Sequence, residues 1–434
     1  MVEWKTVRIE DIAEKIAMGP FGSNIKVETF VPFGVPIISG QHLHASRLDE
    51  RPGYNFITVE HADKLNNSNV YPGDIIFTHA GTIGQVALIP KNATYDRYVI
   101  SQRQFYLRVD KSKADPAFVT RWFHSPVGRH RLLMHSSQVG VPSISRPASN
   151  LKAIEIALPK LDEQKAISSV FDALEDKIEL NRRMNETLEA MARAIFKDWF
   201  VDFGPTRAKA EGREPYLSPE LWNLFPDALD DEDKPVGWKQ GTLADIADSP
   251  RRGVSPSDVS EDTPYIGLEH MPRRSIALTE WEGAGKVTSN KSVFKKGEFL
   301  FGKLRPYFHK VGIAPLDGIC STDIVVVIPR GPEWAAFTLA CLSSDEFVEY
   351  TDQTSTGTKM PRTSWRTMGQ YKICLPSERG ARAFQSLIQP LFNRIDANIH
   401  EARTLAQTRD LLLPKLMSGE IRLKDAEKSV EAVA

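Results

Sequence analysis

Few stretches of this 434-residue sequence carry residue types at spacings that could do covalent or metal chemistry, and each fails at a definable position. Gly285-Lys286-Val287-Thr288 suggests a phosphate loop. However, Val287 stands where Ser or Thr must reach magnesium, and Glu280 stands where the first glycine belongs. Gly81-Thr82-Ile83-Gly84 is a Gly-bounded turn without the helix start that cradles a phosphate. Pro226-Asp227 followed by Glu232-Asp233-Lys234 mimics a nuclease metal site, but it lies in a proline-rich stretch and reads as a solvated acidic run. His42 with His44, and His130 with His135, have no cysteine or carboxylate at ligand spacing and read as surface histidines. Cys320, Cys341 and Cys374 can build neither a disulfide framework nor a metal-spaced pair. No Asn-Pro-Pro-aromatic run, which would hold a base amino group for methyl transfer, occurs. The sequence therefore points away from an enzyme and from a bound metal.

Binding chemistry is better represented. Polar and cationic residues gather at turns, as in Gly22-Ser23-Asn24-Ile25-Lys26, Ser101-Gln102-Arg103-Gln104, Arg251-Arg252, Arg273-Arg274, the run from Lys303 to Lys310 and the run from Thr354 to Arg362. Lys and Arg neutralise phosphates, whereas Arg, Gln, Asn and His can also bond base edges. Taken at face value, the net charge of -1, from 55 Lys+Arg and 56 Asp+Glu, argues against a nucleic-acid partner. It is an average. Residues 1–157 carry 18 basic and 14 acidic groups, net +4, while 158–203 are net -3 and 204–237 net -4. Residues 238–377 and 378–434 are each net +1. Such modest basicity suits a chain that holds DNA weakly by itself.

The elements that must position these turns come in two copies. Trp4-Lys5 recurs as Trp238-Lys239, Pro36-Ile37-Ile38 with Gln41-His42-Leu43 as Pro264-Tyr265-Ile266 with Glu269-His270-Met271, and Gly73-Asp74-Ile75-Ile76-Phe77 as Gly297-Glu298-Phe299-Leu300-Phe301. Val86 to Pro90 returns as Val311 to Pro315, and Ile156 to Pro159 as Ile373 to Pro376. The matches keep their order while the offset drifts from 234 to 217, the mark of a duplication with small deletions. Each copy begins with short β-like runs broken by turns and closes with a long helical stretch. The predicted division is 1–157, 158–203, 204–237 as linker, 238–377, 378–423 and a tail at 424–434. The longest apolar run, Ile324 to Ile328, is far short of a membrane span, and no signal segment opens the sequence, so a cytoplasmic protein is expected.

Both helical stretches carry a 4-3 apolar alternation that keeps one seam facing a partner helix. In the first it falls on Ile167, Phe171, Leu174, Ile178, Asn181, Leu188, Ile195 and Trp199; in the second on Phe384, Ile388, Leu391, Ile395, Asn398, Leu405, Leu412 and Leu416. The expected fold class is α+β, with two tandem α/β domains in pseudo-twofold repeat separated by two long antiparallel coiled-coil helices. Asn181 and Asn398, alike in seam position, are expected to fix register.

The arrangement resembles the specificity subunit of type I restriction–modification systems. The resemblance rests on Trp4-Lys5 and its echo, on Leu158-Pro159-Lys160-Leu161-Asp162-Glu163-Gln164, on Phe196 to Phe203 and on Leu416-Met417-Ser418-Gly419-Glu420-Ile421, covering almost the whole chain. In the second copy Glu378-Arg379-Gly380 replaces the Asp-Glu-Gln run. The resemblance implies two target-recognition domains, each reading one half of a bipartite double-stranded DNA sequence. It implies a helical spacer that sets their gap and docks two modification (methyltransferase) subunits, which bind S-adenosylmethionine and methylate adenine. Two restriction subunits using ATP and Mg can join such complexes, and this chain itself would hold no cofactor and touch no membrane. Chemistry and resemblance together place DNA contacts on Ser23, Asn24, Lys26, Gln41, His42, Gln102, Arg103 and Arg146 of the first domain. In the second they fall on Arg252, Arg273, Arg274, Lys303, Arg305, His309, Lys359 and Arg362. The competing reading is a coiled-coil protein-interaction scaffold with no DNA role.

Overall fold

The computed structural model describes residues 4–22, 24–137 and 140–431, and places them in two compact units. One comprises Met1–Asp176 with Leu405–Ala434, the other Lys177–Thr404. Each unit holds one mixed domain together with part of each long helix, so the compact units cut across the helices rather than leaving them as a separate body.

In the first unit, the duplicated Trp-Lys start becomes strand Lys5–Arg8, which pairs antiparallel with Glu155–Leu158 and ties the domain's beginning to its end. The interior is built on two four-stranded sheets. In one, Ala13–Met18, Gln104–Val109, Asp74–Thr78 and Val86–Leu88 run antiparallel in that order. In the other, Val35–Ile38 pairs antiparallel with Asn55–Ile57 and parallel with Tyr98–Ile100, which pairs with Asn69–Val70. Asp74–Thr78 is buried along its whole length, as a central strand of branched and aromatic residues should be.

The second unit repeats this plan. Lys239–Thr242 pairs with Lys372–Leu375, and a four-stranded sheet orders Ala247–Asp248, Ile324–Pro329, Phe299–Gly302 and Val311–Ile313. A five-stranded sheet again contains one parallel pair, Pro264–Ile266 with Gly318–Cys320. The duplication read from short sequence echoes is thus a duplication of topology.

The long helices are Leu161–Phe200 and Glu378–Met417, each 40 residues and so about 60 Å of helix. Gly380 does not spoil the second start, because its N–H donates to the Ser377 hydroxyl at 3.2 Å, a cap one residue before the helix. Pro390 and Pro414 lie inside this helix, each removing a backbone donor without ending it. Of the seam residues in the first unit, Ile167, Phe171, Leu174, Leu405, Leu412 and Leu416 are buried. In the second unit Asn181, Trp199, Phe384, Ile388, Ile395 and Asn398 are buried, with Ile178, Leu188, Ile195 and Leu391 half-buried.

Within the second unit the helices run antiparallel: Lys177 pairs with Glu401 at 3.2 Å, Asn185 with Asn398, and Phe196 meets Phe384. The two asparagines that match in sequence are not each other's partners. Asn398 donates to Asn185 Oδ1 at 2.8 Å, and Asn181 donates to Glu401 at 2.7 Å. Sequence equivalence and spatial pairing differ because an antiparallel pair matches rising with falling numbers.

Residues 204–237 are more than a tether. They form helices Gly204–Ala210 and Pro219–Trp222, and Phe225 packs on Trp199 at 5.1 Å between ring centroids. The segment after the second helix forms a helix as well, Leu423–Glu431.

Candidate nucleic-acid interface

The second domain gathers its cationic turns by backbone hydrogen bonding. Strand Phe299–Gly302 runs into a loop in which Lys303 N–H donates to Asp323 O at 2.9 Å and Arg305 N–H to Pro361 O at 2.7 Å. Thr363 N–H returns to Lys303 O at 3.0 Å, and Arg274 N–H reaches His309 O at 2.9 Å. Arg305 and His309 are left-handed, with φ of 52° and 51°, so the five-residue turn between them is bent at both ends. The Arg273 guanidinium lies 4.1 Å from the Phe308 ring centroid. Arg273, Arg274, Lys303, Arg305, His309, Lys359 and Arg362 therefore converge.

Their availability differs. Arg273 and Lys359 are exposed, and Lys303 is half-buried. Arg274 pairs with Asp345 at 2.8 Å and Arg362 with Asp323 at 3.1 Å, both in water, where such pairs are weak enough for a phosphate to displace. His309 is a correction to the sequence reading: it is buried, with Nε2 2.9 Å from Ser343 O and Nδ1 3.4 Å from Asp345. Burial lowers its pKa below the ordinary histidine value, so it pins the turn as a neutral ring. Arg252 is half-buried. It stands outside the cluster, and its guanidinium is engaged by Glu298.

The first domain repeats the same backbone bonds. His79 N–H donates to Arg103 O at 2.9 Å, Gly81 N–H to Pro142 O at 2.9 Å and Ile144 N–H to His79 O at 2.8 Å. Gly81 takes φ +82° where Arg305 takes its left-handed turn, and a side chain there would meet the Arg103 guanidinium at 3.3 Å. Bridges Ala80–Ser143 and Leu304–Arg362 match as well. Gln102 and Arg103 are exposed on this array, and Arg146, exposed with φ 41°, follows on the same segment as Ser143.

The remaining residues of the first domain scatter. Gln41 is exposed beside Gly40, whose carbonyl accepts from Gln85 at 3.1 Å. Asn24 and Lys26 are exposed on a separate loop, where the Asn24 carbonyl is 2.8 Å from His61 Nε2. Ser23 lies outside the described residues. His42 is corrected on both counts, as a surface residue and as a base reader. It is buried, accepts from Ser39 N–H at 2.9 Å through Nδ1, reaches Gly53 O at 2.8 Å through Nε2, and stacks on Tyr54. Its echo His270 takes the Gly267 N–H at the same distance, 2.9 Å, so this histidine is a turn-former in both copies.

Among the described residues one trio of metal-capable groups converges, Glu269, His270 and Glu282, within 4.8 Å of one another. Both carboxylates are exposed, and His270 Nδ1 already accepts from Gly267, so nothing else at the trio points to an ion.

Residues 1–190 match the family model described as the type I restriction modification DNA specificity domain. The chain is 26% identical over 448 residues to the MjaIX type I restriction enzyme specificity subunit of Methanocaldococcus jannaschii, covering 98% of this chain and 94% of that protein. It is 23% identical over 478 residues to the HindI specificity subunit of Haemophilus influenzae, covering 97% and 100%. The crystal structure of a type I restriction–modification S subunit from M. genitalium aligns with a TM-score of 0.55 at 16% identity, over 95% of this chain and 96% of that one, a likeness of fold.

Proposed function

Because this chain belongs to the family of type I restriction–modification specificity subunits, we propose that each of its two domains reads one half of a bipartite duplex DNA target. The observation carrying this reading is the matched pair of loop arrays: identical backbone bonding at 79–81, 103 and 142–144 and at 303–305, 323 and 361–363, with different side chains mounted on it. Exposed Gln102, Arg103 and Arg146 on one array, and exposed Arg273 and Lys359 with half-buried Arg305 on the other, supply donors to base edges and phosphates.

The helix pair serves as spacer, its register setting the gap between the half-sites. Leu180 and Met191 on the first helix and Leu387 and Leu411 on the second are large apolar side chains left exposed. Docking of methyltransferase subunits along the spacer belongs to the same reading. Those partners would bring S-adenosylmethionine, and restriction subunits, where they join, ATP and Mg. This chain contributes the choice of sequence and no catalytic group.

Methylome sequencing of cells expressing the chain with its methyltransferase subunits reports the target directly. Exchanging residues 1–157 for the corresponding part of another such subunit should change one half-site and leave the other. A hybrid that keeps both half-sites would refute the two-reader assignment. Binding of partners that ignores salt, with no retardation of any duplex by the complex, would favour a protein scaffold instead.

A further inference from the structure

Two apolar side chains stand exposed at matching points of the two arrays. Val141 is 64% and Met360 47% exposed, and each immediately precedes the proline whose carbonyl accepts the N–H of Gly81 or Arg305. The stems beneath them are fixed. Thr356 and Arg362 exchange two backbone hydrogen bonds at 3.0 and 2.9 Å, and Ser137 pairs with Ser143 in the first domain. A single exposed apolar residue needs no explanation, but the same exposure kept at one place in two diverged copies does. The surroundings are cationic. Lys359 adjoins Met360, with the Arg305 guanidinium against the Lys359 carbonyl, while Arg103 and Arg146 share the first array with Val141.

An apolar tip within a cationic rim complements a duplex groove, where phosphates flank the base edges. The apolar group that a major groove presents on those edges is the thymine C5-methyl. We propose that Met360 and Val141 each cover a thymine methyl, one in each half-site; this rests on the DNA-reading function above. Charge-based reasoning overlooks both residues, since neither can donate or accept a hydrogen bond through its methyl groups. Serving as contacts for T, they would complement the Arg, Lys and Gln side chains that answer polar edges and phosphates.

The test uses the complete complex with its methyltransferase subunits and its own target duplex, with each thymine replaced singly by deoxyuridine, which lacks only the methyl. One such duplex in the second half-site should bind the wild-type complex about fourfold more weakly, the value of one buried methyl. Met360→Ala should weaken binding of the unmodified duplex similarly and be indifferent to that replacement, whereas Met360→Leu keeps the discrimination. Val141→Ala should behave alike for one thymine of the first half-site. Unchanged melting temperatures, expected for such exposed positions, verify the fold. Specific binding that no deoxyuridine weakens, or losses that simply add in Met360→Ala, would overturn the methyl contacts while leaving the DNA-reading function standing. A wild-type complex with no preference for any duplex would remove that function and the proposal together.

Discussion

The two loop arrays share their hydrogen-bonded frame and differ in what it carries. Gly81 faces Arg305 in the comparison, Arg103 faces Asp323, and Ser143 faces Arg362. In the second domain the acidic and basic members pair at 3.1 Å, whereas in the first the acidic place is basic and the basic place a serine. The lesson is a separation of duties: backbone bonds fix where side chains are presented, leaving those side chains able to diverge without refolding the turn. The junctions between domain and helix differ in the same manner. Arg47 and Arg121 of the first domain grip Asp172, Glu175 and Asp176 of the first long helix. In the second domain Ala277 takes the bridge position of Arg47, and the helix supplies the anchor instead: Glu189 accepts from the Ser275 hydroxyl at 2.8 Å and Ile276 N–H at 3.1 Å.

This contrast predicts the largest effect. Arg121 is 4% exposed at its side chain, so Arg121→Leu leaves carboxylates without a buried partner and should destabilise the first unit by about 3 kcal/mol. Ser275→Ala removes one neutral donor and should cost the second unit only about 1 kcal/mol. Denaturant unfolding followed by hydrogen exchange in each unit measures both. Equal losses would mean that the charged and the neutral junctions are energetically alike.

The reading surfaces should be separable next. Arg305→Ala should cost about 2 kcal/mol of specific binding and relax only the second half-site, while Arg103→Ala acts only on the first. Competition binding of the complex against half-site variants checks this. Loss of discrimination in both halves from either change would break the comparison between the arrays.

A smaller effect belongs to the helix pair. Asn398→Leu strands the buried Asn185 amide and should destabilise by about 1.5 kcal/mol, whereas Asn185→Leu with Asn398→Leu should recover most of it. Thermal melting reports the energies, and engineered cross-links along the helices report register. A double variant no more stable than the single would show that the asparagine pair is not the coupled element.

Much of this was legible because periodicity survives divergence. The 4-3 seam, the paired Trp-Lys starts and the drifting offsets describe the repeat, since core positions tolerate only residues of similar kind. What sequence could not separate was the two uses of a polar side chain. His42 and His309 sit in turns full of polar residues, exactly the context expected of readers, yet both are buried hydrogen-bond partners of backbone carbonyls. Arg252 is likewise absorbed by Glu298, a contact between residues 46 positions apart that no local pattern signals. The partner of Asn398 depended on helix direction and register, which spacing alone leaves open. Val141 and Met360 carried a usable signal, the apolar residue before Pro142 and Pro361, but it becomes visible only once the two hairpins are known to correspond.

The junctions should also answer pH with opposite sign. At Asp172 burial favours the neutral acid, but Arg121 and Arg47 outweigh it and hold the pKa below the ordinary carboxylate range. Its contribution is therefore present above that range and is lost as pH falls through the depressed folded value, below about pH 4. The Asp172 side chain is 39% exposed, so water should keep this share under about 1 kcal/mol. At Glu189 burial raises the pKa, and the bonds from Ser275 and Ile276 oppose it only in part. The folded state then holds the proton more tightly than the unfolded chain, so this contribution is full below the ordinary glutamate value and fades as pH rises through the elevated one. Between pH 7 and 5, exchange protection near Ser275–Ala277 should rise while that near Ser46–Leu48 stays level, and Glu189→Gln should flatten the rise. Parallel weakening of both segments over that interval would show that the junctions are not tuned in opposite directions.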